Sequence, residues 1–392
     1  MSAIYGNMLT FGSGGGGSSG VYAAIKVAYP PGSTCTATNG TTTLIASDTS
    51  GMYIFGIPEP TSTPETWTIS CTDGNSSLSE TISITEYGQF ETVYLFDVGS
   101  SLNNTSWSVI SAISKVGIGD TYWDIGDCKA VVINGTIGTL AIDTTLYVFI
   151  LDFNHPINKS TADNNIIWGG FKTALTGGVD VALCDASYNS NMSDGTKIFN
   201  INHRGESKAP YNTNYGGWKG CDLRYDILGG TSTQPSGYTS TPTTNRKGYD
   251  ATQATINTPV ANTLMAALPS DLRAVLRLWN RYIDYVGNAY NTDANCSTAT
   301  VDALSLLAEF EIFGSRTYAN QYEQNHQKQM AYYSAGNSKK KYKHNATGSA
   351  CYWWEASANY NTMTSFCYVN TSGGANTRVS RTSYGVAPAF RT

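Results

Sequence analysis

Tyr352-Trp353-Trp354-Glu355 opens, and Tyr384-Gly385-Val386-Ala387-Pro388-Ala389-Phe390 closes, the stretch on which the reading of this chain turns. Between them, Ser, Asn, Thr and Tyr fill 16 of the 28 positions from 356 to 383. No acid occurs there, and the only bases are Arg378 and Arg381. Rigid rings and small adaptable hydrogen-bonders compose a recognition surface. An acid–base centre needs titratable groups of matched pKa instead. The plainer alternative is a polar surface loop without a partner. Phe366 to Val379 pivots on Ser372-Gly373-Gly374 and reads as a hairpin.

Outward from this stretch, 392 residues exceed one ordinary core, so two or three domains are expected. Charged residues make up 14%, against about 25% in a typical soluble chain. Gly, Tyr, Thr, Ser and Asn take their place, which suits exposed β-structure. A net charge of −5 argues against a nucleic-acid partner. The basic run Lys339-Lys340-Lys341 with Lys343 and His344 reads as a solvated loop. No apolar run is long enough for a membrane span, and none is expected. Met1 to Thr10 lacks the pattern of a secretion signal, so synthesis and retention in a cytoplasm are expected. Eight scattered cysteines without a Cys-x-x-Cys pair predict no zinc and mostly buried thiols. A Cys35–Cys71 bridge is left open.

Four segments follow. Residues 1–20 join an apolar tip (Ile4, Tyr5, Met8, Leu9, Phe11) to a glycine-serine tether, a docking peptide or else a frayed terminus. Residues 21–98 carry short alternating runs at Val21–Tyr29, Thr41–Ser47, Met52–Ile57, Thr66–Cys71, Thr81–Thr85 and Thr92–Phe96. Asn39-Gly40 and Asp73-Gly74 between them predict tight hairpins, and the whole predicts a β-sandwich with Trp67 and Phe55 in its core. Residues 99–114 are a linker. Residues 115–392 form a large domain. Val131-Val132-Ile133 and Leu146–Phe153 predict buried strands. Leu272, Val275, Leu276, Trp279, Tyr282 and Ile283 lie at helical spacing. Leu304–Phe313 is strand or short helix, Tyr322 to Tyr333 a polar surface helix, and Gly229–Gly248 a long loop.

Motifs of catalysis are missing. No Gly-x-Ser-x-Gly elbow, phosphate loop or His-Glu-x-x-His occurs. His155, His203, His326 and His344 read as structural or surface residues. Glu309 and Glu311, two apart, predict a solvent face of a strand. No cofactor and no metal site is expected, and the chain is read as a non-enzyme.

The first module resembles immunoglobulin-like or carboxypeptidase-regulatory-like domains of phage structural proteins. The likeness lies in Ser33–Gly40, Ser50–Phe55 and Trp67–Gly74. In the large domain the strings are Trp123-Asp124-Ile125-Gly126-Asp127, Phe153-Asn154-His155, Gly216-Gly217-Trp218-Lys219 and Leu268–Val275. They continue with Ala308–Gly314, Tyr352–Glu355 and Gly385–Phe390. Together they resemble a domain of unknown function common in gut bacteria and their phages, similar to C-type lectin-like and formylglycine-generating-enzyme-like folds. The implied fold is multidomain: an all-β immunoglobulin-like sandwich followed by an α+β C-type lectin-like domain. Calcium-lectin strings Glu-Pro-Asn and Gln-Pro-Asp are absent. Cys351 and Cys367 are present, but Arg381-Thr382-Ser383 departs from the Arg-Gly-Gly-Ser of the formylglycine-generating relatives.

The tail also resembles the variable region of retroelement-diversified proteins. That likeness implies exposed ligand contacts at Ala356, Ala358, Asn359, Tyr360, Asn361, Thr362, Thr364, Tyr368, Asn370, Asn376, Arg378, Ser380 and Arg381. Tyr360 and Tyr368 would be the energetic anchors, with Arg378 and Arg381 next. Glu355-Ala356-Ser357-Ala358 replaces the relatives' x-Arg-Ser-Pro. The expectation is a virion fibre or decoration protein, docked through its N-terminal segment to other virion proteins. It would bind a host cell-surface protein or glycan, or a mucosal ligand, and form a homo-oligomer, a trimer by analogy. A purely structural decoration protein and a particle-borne glycan hydrolase are the alternatives.

Overall fold

Alternating burial builds the first domain. A computed structural model describes residues 20–74, 76–191, 197–202, 213–235 and 247–392. The chain divides into two units, Met1–Val116 and Gly117–Thr392. The docking tip, His203 and the centre of the 229–248 loop lie outside the described residues.

The first unit holds β1 (Ala23–Ala28), β2 (Thr34–Thr38), β3 (Thr43–Ile45), β4 (Met52–Ile57), β5 (Glu65–Thr72), β6 (Ser77–Ile84) and β7 (Phe90–Tyr94). One sheet runs β4-β1-β7, the other β3-β2-β5-β6. β1 pairs antiparallel with β4 and parallel with β7. In β5, Trp67, Ile69 and Cys71 point inward while Thr68 and Ser70 remain partly open, the period of two that a half-buried strand requires. They meet Ile25, Val27, Phe55 and Ile57 of the other sheet in one apolar core. Trp67 and Phe55 are both buried, as expected. Each such side chain contributes about 1.5–3 kcal/mol.

Strand β2 was not anticipated; its Thr and Cys content hides a weak alternation. Cys35 and Cys71, directly opposed on β2 and β5, form a disulfide. The hairpins differ from the expected two-residue turns. Thr38 pairs with Thr43, leaving a four-residue loop in which only Gly40 has positive φ, 86°. Asn39 Oδ1 accepts from the N–H groups of Thr41 and Thr42 (2.9 and 2.6 Å) and holds that loop. The expected linker carries helix α1 (Trp107–Val116), with Trp107, Ile110 and Ile113 buried.

The second unit begins with α2 (Gly119–Tyr122) and the long hairpin β8 (Cys128–Ile137) and β9 (Leu140–Phe153). Gly138 turns that hairpin at φ 58°, and a Cβ there would lie 2.2 Å from the Lys197 carbonyl. β10 (Ile166–Lys172) and β11 (Asp180–Ala182) follow; then α3 (Gln253–Asn257), α4 (Leu264–Ala267), α5 (Ser270–Arg273), β12 (Trp279–Arg281) and β13 (Thr300–Asp302). The remainder is α6 (Glu309–Phe313), α7 (Glu323–His326), α8 (Ala331–Ser334), β14 (Lys341–Lys343), β15 (Ala346–Cys351), β16 (Trp353–Ala358), β17 (Ser365–Val369), β18 (Ala375–Val379) and β19 (Ala389–Arg391). The main sheet runs β15-β14-β11-β10-β9-β8, with β19 also on β10. β16-β17-β18 is a separate sheet, and β12-β13 a third. Phe149, Leu151, Trp279, Leu307, Ile312 and Trp353 are central to its core.

Four expectations fail here, each to tertiary structure. The helical stripe 272–283 is helix only at α5. Beyond it, Trp279 and Arg281 point inward from β12, paired to β13. Arg281 stacks on Trp279 at 3.7 Å and forks onto Glu311 at 2.6 and 2.5 Å. The polar helix 322–333 is two single turns separated by Gln327–Met330, with Glu323, Met330 and Tyr333 buried. Glu309 and Glu311 lie on α6, both buried, and not on a solvent-facing strand. In the lysine run, Lys341 is 1% exposed, its Nζ 3.7 Å from Asp180 and 5.0 Å from the Trp353 ring centre. Val131 and Ile133 are buried but Val132 is exposed, so β8 alternates.

Candidate functional site

β16 is buried on both faces, and this settles much of the tail. Ala356 and Ala358 are fully buried, and the Ala356 N–H donates to the Leu307 carbonyl. Asn359 is buried as well; its Oδ1 accepts from the Asn361 N–H. Ser380 is buried, its carbonyl accepting from Ile201 and Asn202. Tyr368 is 7% exposed, packed against Tyr352, Trp354 and Tyr384 at 5.5, 6.2 and 4.9 Å. These five are not exposed contacts, and Tyr368 anchors an internal aromatic cluster. A strand pressed between core layers has no free face, whatever its polarity.

The rest of the stretch is surface. Tyr360, Thr364, Asn370 and Arg381 are half-buried; Asn361, Thr362, Asn376 and Arg378 are exposed. The connection between β16 and β17 carries Tyr360 to Thr364. Arg378 pairs with Phe366, and the Ser380 N–H donates to the Thr364 carbonyl. One end of the three-stranded sheet thus gathers Tyr360, Asn361, Thr362, Thr364 and Arg378. Asn376 sits one pleat further along β18, and Asn370 at the opposite end. There Asn370 Oδ1 accepts from Ser372 and Gly374, closing the expected hairpin, with Gly373 at φ 86°.

Groups distant in sequence complete the surface. The Arg316 guanidinium lies 4.9 Å from the Tyr360 ring centre, within cation–π range. The Tyr360 N–H donates to the Tyr318 carbonyl. Met363 is 44% exposed, its sulfur 3.6 Å from the Tyr215 hydroxyl. The one signal for Met363 was an apolar residue inside a polar run; nothing in the sequence pointed to Arg316.

Beneath the loop lies Asn214, fully buried. Its Nδ2 faces the carbonyls of Asn359, Thr362 and Ser365 at 3.0, 2.8 and 3.1 Å. Its Oδ1 accepts from the Asn288 N–H at 2.7 Å, and its own N–H donates to the Met363 carbonyl. Gly287 packs so close that a Cβ would lie 1.9 Å from the Asn214 carbonyl oxygen. The surface loop is therefore gripped from within at both ends.

A second polar layer was not foreseen. Asp284, Glu309, Glu323 and Glu355 are all fully buried or nearly so. Glu309 accepts from the Tyr318 and Ala319 N–H groups at 2.9 and 2.7 Å. Asp284 accepts from Val286 and Gly287. Burial pushes Asp284 up to about 6 and Glu323 up to about 8, against backbone N–H groups that pull them down. Glu355 is pushed well above the usual carboxylate range by burial and then by Glu309 and Glu323.

Among the described residues, no three His, Cys, Asp or Glu side chains are set to hold a metal ion. No helix there is long and apolar enough to cross a membrane. His155 is buried and bonded to Asp152 at 2.7 Å. His326 stacks on Tyr282 beside Asp293, and His344 Nδ1 accepts from the Cys184 N–H. Cys351 and Cys367 lie on strands of different sheets, both buried.

Neither a curated protein nor a solved structure matches the chain. Residues 196–391, half of its length and the part that carries the loop, its clamp and the acid layer, match a family described as a domain of unknown function, DUF6273; the chain belongs to that family.

Proposed function

We propose that this protein is a virion component whose second unit, a C-type lectin-like domain, binds a host-surface or mucosal ligand and carries out no reaction of its own. The first unit, an immunoglobulin-like spacer in this reading, sets the binding domain off from the particle. One observation carries the binding role: the exposed loop Tyr360 to Met363 is immobilised by Asn214 from below, with Arg316 over Tyr360. A loop already ordered loses little conformational freedom on binding. Its outer side chains offer a ring face, an amide, a hydroxyl, a thioether and, beside them, Arg378. That mixture suits a ligand with both hydrogen-bonding groups and apolar faces, such as a glycan.

The four buried carboxyls are the one feature that pulls toward catalysis. Glycosidase carboxyls flank an open cleft. Here Glu309, Glu323 and Asp284 are closed from solvent and engaged with backbone N–H groups. Binding is the stronger reading.

The test has two arms. Mass spectrometry of purified phage particles should find the chain; its absence from them removes the virion role. Purified protein should bind host cells or mucin-coated surfaces, and Tyr360→Ala with Arg378→Ala should weaken this about tenfold or more, the scale of a hot-spot loss. Equal binding by both proteins, with unchanged circular dichroism, ends the assignment of this loop.

A further inference from the structure

The acid layer joins three separate parts of the second unit. Glu323, on α7, accepts from the Asp284 N–H at 3.0 Å and from the Ser357 hydroxyl at 2.7 Å. Ser357, on β16, accepts from the Glu309 N–H at 3.0 Å. Glu309 in turn holds the N–H groups of Tyr318 and Ala319. Asp284 holds Val286 and Gly287, and Asn320 donates to its second oxygen at 3.2 Å. The loops so fixed, 284–288 and 317–320, are the ones that touch the recognition loop, through Asn288 to Asn214 and Tyr318 to Tyr360.

Glu355 stands apart. It lies two residues before Ser357 on β16, is fully buried, and neither carboxyl oxygen has a hydrogen-bond partner among the described residues. No lysine or arginine forms an ion pair with any of the four carboxyls among the described residues; Arg316 pulls Glu309 down, as the weakest influence there. The other groups facing the cluster add no positive charge. They are Cys367 on β17, Cys296 beside Glu323 and Asp284, and Tyr333 on α8 beside Glu355. A buried carboxylate with no protein partner is costly to keep as an anion.

We infer that Glu323 and Glu355 form a proton-held latch under the recognition loop, closed while these two are neutral and opened when they ionise beside Asp284 and Glu309. The inference rests on the loop at 360–363 being the recognition element, but the latch itself is measurable without any ligand. Burial raises Glu323 to about 8 and Glu355 well above the usual glutamate range, so both groups bind protons more tightly folded than unfolded. The stability Glu323 contributes is therefore full below the ordinary glutamate pKa and is lost as pH rises through about 8, and that of Glu355 is lost in the same direction. Ionisation places like charges beside Glu309 and Asp284, which repels the loops those two residues hold.

Amide hydrogen exchange on the full chain tests this. Peptides spanning 284–288, 317–320 and 359–364 should lose about tenfold in protection from pH 6 to pH 9 after correction for intrinsic exchange, one unit past a pKa near 8. The variant carrying Glu323→Gln and Glu355→Gln cannot ionise there and should keep its protection. Should it not fold, Glu355→Leu alone serves, because Glu355 gives up no hydrogen bond, and it should reduce the loss. Protection in the native chain that is unchanged up to pH 9 overturns the latch. So does a stoichiometric metal ion in dialysed protein whose removal by chelator opens the same loops, since a cation and not protons would then hold the cluster. A latch that behaves as described while Tyr360→Ala leaves binding intact would refute the assigned loop and leave the latch standing.

Discussion

Asn39 and Asn214 perform one task at two distances. Each uses a side-chain amide to hold a loop that has no regular structure. Asn39 reaches backbone N–H groups two and three residues away. Asn214 reaches carbonyls 145, 148 and 151 residues away. The first is a local Asx turn, written in the sequence as Asn-Gly. The second exists only after the chain has folded. The same contrast separates the two units. The first has an apolar core, period-two strands and turns closed by their own residues. The second seats its loops on buried polar groups supplied from elsewhere.

The largest effect that sharpens this contrast is at Glu311. Its replacement by alanine strands Arg281 in the core after the loss of both 2.6 and 2.5 Å bonds. Breaking a buried pair from one side costs about 3–5 kcal/mol, read as a lowered denaturant midpoint of the second unit. The first unit has its own long-range tie, the Cys35–Cys71 bridge across 36 residues. Replacing both cysteines with alanine should cost about 4 kcal/mol through the unfolded chain's restored freedom. A Glu311 change that left the second unit's denaturant midpoint unmoved would put the claim that remote polar groups organise that unit in trouble.

Asn214→Ala is next. It leaves three carbonyls and the Asn288 N–H to find other partners, at about 2–3 kcal/mol. Exchange should rise in 359–365 and in 286–290 together, since one side chain grips both. A rise confined to either segment would mean that the loops are held independently.

This contrast also separates what the sequence makes legible from what only the fold creates. Trp67, Phe55, the runs around Met52–Ile57 and Thr66–Cys71, and the hairpin at Ser372-Gly373-Gly374 were legible because strand period and turn chemistry act over a few residues. The stripe at 272–283 misled, because Arg281 at an intervening position is buried by Glu311, thirty residues on. The tail misled in a more useful way. Its polar letters suggested a surface throughout, yet Ser357 and Asn359 are polar because they hold Glu323 and their own turn inside the protein. Composition cannot separate a polar residue that meets solvent from one that satisfies a buried partner. Asn361, Thr362, Met363, Ser372, Asn376 and Arg378 are exposed, with Tyr360, Thr364, Asn370 and Arg381 half-buried beside them.

The smallest effect completes the pair of asparagines. Asn39→Ala removes two hydrogen bonds from an exposed loop whose N–H groups can turn to water, and a third from Nδ2 to the Glu65 carboxylate, so the loss should be about 1 kcal/mol. Gly40 at φ 86° still turns the chain, and β2 and β3 keep their register from Thr36 to Thr38. The change in exchange should stop at residues 39–43. Asn214 has less refuge, because its bonds to the Asn359 and Ser365 carbonyls and to the Asn288 N–H are buried. The ratio of the two costs therefore measures how much of a loop's order comes from its neighbours in sequence and how much from the fold. Equal costs would place the second unit's loops under local control after all, and the buried clamp would be incidental to the surface it underlies.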